Sequence, residues 1–118
     1  MKGSDARARD RAAAQLSAAV TSFALNVEVD HILGDPRGSA EVAFARQVAM
    51  YLCHVAFELS LGRVAWAFGR DRSTVAHACH TIEDRRDEAA FEHWICALEM
   101  VLRDTPIGES DRRARAAS

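Results

Sequence analysis

The sequence has 118 residues, 15 Lys or Arg against 17 Asp or Glu, and a formal net charge of −2. That length suits one domain, and 49% hydrophobic residues supply enough apolar material for a core, so disorder of the whole chain is excluded. Near-neutral charge excludes a polybasic protein that coats nucleic acid by charge alone, and no apolar run is long enough to span a membrane.

The N-terminus, MKGSDARARDR, lacks the apolar core of a secretory signal. Cys53, Cys79 and Cys96 are odd in number, far apart and set in apolar helical patterns. They point to small buried hydrophobes in a reducing cytoplasm, not to a disulfide framework. Between Arg37 and Arg86 seven arginines stand against five acids; the remainder has eight basic and twelve acidic residues. The middle is therefore mildly basic and the flanks are acidic.

Glycine and proline are few, the long segments between them are rich in Ala, Leu and Arg, and nothing alternates with period two. The expected class is all-α, a compact helical domain. A first helix is expected from about Asp5 to Leu25, with Leu16, Ala19, Val20 and Phe23 at helical spacing. Residues 1–15 read as a frayed arm or helix start, and 16–103 as the domain. Val27 to Leu33 suits one or two helical turns, and Gly34 to Ser39 is the clearest loop.

A helix over Ala40 to Leu59 would carry Phe44, Val48, Tyr51, Leu52, Val55 and Leu59 as its stripe. Ser60 should cap a short helix, Leu61 to Phe68, which Gly69-Arg70 ends. The Asp71 carboxylate should then cap a helix whose buried face is Val75, Ala78, Cys79 and Ile82. A last helix over Ala89 to Arg103 has Phe91, Trp94, Ile95, Leu98 and Leu102 as its stripe. Residues 104–118 are polar and expected to be a disordered tail.

Two short helices joined by a tight glycine turn outline a helix-turn-helix. The outward side of the second offers Arg72, Ser73, Thr74, His77, His80 and Thr81. Short polar and cationic side chains at a helix N-terminus suit the major groove, where Arg can pair with both acceptors of guanine. An exposed polar face on an ordinary bundle helix is the other reading of this pattern.

ARQVAMYL (Ala45–Leu52) and LSLGRVAWAFGRDRSTVAHACHTIE (Leu59–Glu83) closely resemble the C-terminal DNA-binding domain, domain IV, of the bacterial replication initiator DnaA. That family's pattern is approximately A-R-Q-x-A-M-Y-L followed by S-L-P-x-I-G-x-A-F-G-G-R-D-H-[ST]-T-V-x-H-A. The resemblance covers roughly Val20 to Arg86. It implies a helix-turn-helix in which Arg70, Asp71, Arg72, Ser73 and Thr74 occupy the turn and helix start that read the major groove. It implies that His77 falls on a DNA-contacting histidine and that Arg46 and Gln47 lie near the duplex backbone. Leu61 and Gly62, with Arg63 beside them, fall where the family's Leu-Pro abuts DNA, and His54 and Thr81 stand where some members have Lys.

The chain departs from the family's pattern at four points. One glycine, Gly69, precedes Arg70-Asp71 where the pattern has two. Arg72 replaces a histidine and Gly62 a proline. The family's basic loop, which reaches the minor groove, is GDPRGSAEVAF here, with Arg37 as its one cation. Binding to a different sequence, or weaker binding that needs a partner, is the expected consequence.

The sequence contains no G-x-x-x-x-G-K-[ST] phosphate loop, so no nucleotide or other cofactor is expected. His77, Cys79 and His80 do not share one helix face, and no catalytic motif is present, so neither a metal site nor an enzyme is expected. The reading is a stand-alone, nucleoid-associated binder of double-stranded DNA without an ATPase domain, most simply a transcriptional regulator. Alternatives are a modulator of replication initiation that competes for initiator sites, and an interaction module that has lost most DNA affinity. Partners besides DNA would be a second DNA-binding regulator, a nucleoid protein or RNA polymerase.

Overall fold

The computed structural model describes residues 2–34 and 38–106. Over these residues the chain is all-α, with helices α1 (Lys2–Leu25), α2 (Val29–Leu33), α3 (Ala40–Ala56), α4 (Leu61–Phe68), α5 (Arg72–Arg85) and α6 (Ala89–Arg103). None of these helices is long and apolar enough to cross a membrane.

Helix α3 is the axis of the domain. Ala45, Arg46, Val48, Ala49, Met50, Tyr51, Leu52 and Cys53 are all buried, so side chains around its whole circumference are covered. Ala45, Ala49, Met50 and Cys53 join one core with α1, α4 and α5. Val48, Tyr51 and Leu52 join a second core with Ile82, Phe91, Ile95 and Leu102. A helix buried on both sides holds its neighbours in fixed relation, and α5 packs against both cores through Val75, Ala78 and Ile82.

The α1 seam differs from the expected stripe. Its buried residues are Ala13, Ala14, Ser17, Ala18 and Thr21. Small side chains let α1 approach Ala45, Ala49 and Cys53 closely. The Ser17 and Thr21 hydroxyls donate to the carbonyls of Ala13 and Ser17, each at 2.8 Å, so no polar atom is stranded. Leu16 and Val20 pack at the edge of the second core, and Phe23, expected inside, is 91% exposed. Helix α1 begins at Lys2, and Asp10 is buried within it.

One helix boundary moves. Helix α3 stops at Ala56, three residues short of the expected end, because Glu58 takes φ 55 and turns the chain before Leu59. Of the tail, Asp104 to Pro106 is described, and the Thr105 hydroxyl donates back to Val101 O at 2.8 Å. The rest of the expected tail and Arg37 lie outside the described residues.

Candidate nucleic-acid interface

Helices α4 and α5 form the expected helix-turn-helix. Ser60 caps α4, its hydroxyl accepting from Arg63 N at 3.2 Å. Gly69 ends α4 in the left-handed region, φ 66 and ψ 39. Its N–H donates to Trp66 O at 3.2 Å and the Arg70 N–H to Ala65 O at 2.8 Å, the double bond pattern of a Schellman end. One glycine suffices for this turn, since only a single residue needs positive φ.

Asp71 is the N-cap of α5 in extended conformation, but its carboxylate makes no cap hydrogen bond. That corrects the expected side-chain cap: the exposed carboxylate leaves the helix's first N–H groups uncovered by Asp71. Val75, Ala78 and Ile82 are buried, Cys79 and Thr81 half-buried, and Arg72, Ser73, Thr74, His77 and His80 exposed.

Helix α5 stands as a ridge between two grooves. One, of about 270 Å³, is lined by Ala43, Arg46, Gln47 and Met50 of α3, Arg70 of the turn, and Thr74, His77 and Ala78. The other, of about 320 Å³, is lined by Tyr51, His54, Val55, Leu61, Ala76, Cys79, His80 and Glu83. Ten expected site residues thus lie on α5 or in these grooves, while Gly62 and Arg63 are exposed on α4 nearby and Asp71 precedes the ridge. A Cβ on Gly62 would meet nothing within 4 Å.

The arginines divide into two kinds. Arg46, 6% exposed, donates from Nε to Ile32 O at 2.8 Å and from Nη2 to His31 O at 2.7 Å. Arg63 holds the buried Asp10 carboxylate through Nε at 3.1 Å and Nη2 at 2.7 Å, joining α4 to α1. Arg70 donates to Phe68 O at 3.1 Å and to Gly34 O at 2.6 Å, tying the turn to the end of α2. Arg72 makes no such bond among the described residues. In the second groove, His54 Nδ1 lies 2.6 Å from Leu59 O; the carbonyl can only accept, so Nδ1 carries the proton.

Sequence reasoning missed the clasp at the far end of α5. Tyr51 donates to Glu83 Oε2 at 2.6 Å, and Arg86 Nη1 donates to the Tyr51 hydroxyl at 2.7 Å. Arg86 also reaches Glu92 at 2.7 Å and Glu99 at 3.2 Å, so α3, α5 and α6 meet in one polar network. Burial first, and the Glu83 bond second, push the Tyr51 phenol up to about 12. Burial also raises the thiols of Cys53 to about 12 and Cys79 to about 11, which leaves both protonated and unreactive at neutral pH. No group of three His, Cys, Asp or Glu that could hold a metal ion occurs among the described residues.

The model of the bacterial DnaA protein helix-turn-helix matches residues 17–82, from the middle of α1 to the buried end of α5. The chain belongs to this DnaA family. Among curated relatives, the chromosomal replication initiator protein DnaA of Lachnoclostridium phytofermentans is 36% identical over 89 residues, 74% of this chain and 19% of the relative. That of Mycobacteroides abscessus is 41% identical over 90 residues, 71% of this chain and 18% of the relative. A solved DNA replication initiation factor superposes with a TM-score of 0.72 at 31% identity, covering 87% of this chain and 31% of the other. The chain therefore spans under a fifth of the length of these DnaA relatives. Helix α6 lies beyond the family match, yet it closes the second core and receives the Arg86 clasp.

Proposed function

We propose that this chain binds double-stranded DNA by inserting the start of α5 into the major groove, as a sequence-specific regulator of transcription acting at the nucleoid. The observation that carries this reading is the exposed run Arg72, Ser73 and Thr74, with His77 one turn on, at a helix start whose cap carboxylate is not engaged. Arg72 supplies a fork for a guanine edge, and Ser73 and Thr74 supply hydroxyls for base or phosphate. The uncovered N–H groups and helix dipole favour a phosphate beside them. Gln47 and His54 line the flanking grooves, and Leu61, Gly62 and Thr81 border the same surface. Arg46 and Arg70 act indirectly in this scheme, holding α2 and the turn in place.

A second reading is competition for sites bound by replication initiators, favoured by the match over residues 17–82 to the initiator family. Selection from a randomised duplex pool tests both. Enrichment of one motif supports sequence-specific binding, and identity of that motif with an initiator's box selects the competitor. Absence of any enrichment together with no retention on duplex DNA at low salt defeats both readings and leaves a protein-interaction module.

A further inference from the structure

On the flank of α4 facing α1, two exposed arginines share one indole. The Arg7 guanidinium carbon lies 4.2 Å from the Trp66 ring centroid and that of Arg11 lies 4.9 Å from it. Arg7 and Arg11 stand at i and i+4 on α1, a spacing at which like charges repel. Asp10 lies next to Arg11 in the chain, but it is 4% exposed and gives both carboxylate oxygens to Arg63. Asp5 is two residues from Arg7, a spacing that does not face it. Helix α4 itself, LGRVAWAF, contains no acid. Among the described residues the flank therefore carries two cations more than the carboxylates of α1 and α4 balance, and contact with Trp66 fixes their position in advance.

We infer that Arg7 and Arg11, seated on Trp66, form a phosphate-binding surface that extends the DNA interface beyond the helix-turn-helix. The occupant is the sugar-phosphate backbone of the same duplex. The first helix of a helix-turn-helix crosses that backbone, and Arg63, in the first turn of α4, joins this end of the motif to α1. The Arg63–Asp10 pair is the positioning element: it locks α1 onto α4 and leaves the two guanidiniums facing solvent. Attraction to the indole ring holds each guanidinium without using up its five N–H donors, which stay available to phosphate oxygens. Such contacts carry no base information and add to affinity and register.

This inference rests on the duplex-binding reading, and the experiment separates the two. The full chain and its Arg7→Gln/Arg11→Gln variant are titrated at several salt concentrations against a mixed-sequence duplex of roughly three helical turns, about 30 bp. The variant should bind several-fold more weakly at low salt, and its slope of log K against log salt should be shallower by about 1–2. Trp66→Leu, which keeps both charges and removes their platform, should lose less than the double variant. An unchanged slope in the double variant overturns the inference, and if its melting midpoint also falls, the two arginines only staple α1 to α4. Failure of the unsubstituted chain to bind the duplex at low salt would overturn the DNA-binding reading itself.

Discussion

Arg70 reaches back 36 positions in the chain to place its guanidinium 2.6 Å from the carbonyl of Gly34. The residue that the family resemblance aligned with groove reading thus joins the helix-turn-helix to the end of α2, just before the loop into α3. A charged donor on a backbone carbonyl contributes about 1.5–3 kcal/mol. Arg70→Ala should therefore lower the denaturant midpoint and speed amide exchange in the α2 segment. Arg70→Lys should recover part of the midpoint, because a point charge cannot span Phe68 O and Gly34 O together.

Arg46 should behave as an internal brace. Its guanidinium is buried and occupied by His31 O and Ile32 O. Arg46→Ala should cost about 1–3 kcal/mol of stability by leaving two carbonyls without their donor. At matched folded fraction, its salt slope for duplex DNA should stay within a few tenths of the unsubstituted chain. A slope shallower by about one with stability intact would instead assign Arg46 to a phosphate.

Arg72 should choose a base. Arg72→His should cost about 1–3 kcal/mol on sites with guanine at one position and little on others. Comparison of the two proteins on a randomised duplex pool at fixed salt reads this directly. A uniform loss across all sequences would move Arg72 to the backbone.

Tyr51 should make the fold alkali-sensitive in a defined window. The phenol is raised from 10.0 to about 12 in the folded chain, so the folded state holds its proton where the unfolded state releases it. The stability this contributes is complete below pH 10 and declines as pH rises from there towards about 12. Tyr51 is the sole tyrosine, so tyrosinate absorbance reports on it alone. The absorbance midpoint should lie near 12 in the folded chain and near 10 in denaturant. Glu83→Gln should bring the folded value down, since the carboxylate raises it.

Local chemistry in the sequence determined the elements. Helix periodicity, the Ser60 cap, and glycine at the one position with φ 66 all act over a few residues and are visible in the chain. The polar face of α5 was legible for the same reason: its inward residues repeat at helical spacing, so Arg72, Ser73, Thr74 and His77 had to face out. The tertiary structure decided which polar groups remained available. Arg46, Arg63 and Arg70 look alike in sequence, but their partners lie 14 or 15, 53 and 36 residues away, and no local pattern encodes such pairings. The α1 seam was misread for a related reason, because a stripe of larger residues was expected where close approach to α3 selected alanines, Ser17 and Thr21. Packing against distant elements decides which side chains are covered, and so which cations are left to meet DNA.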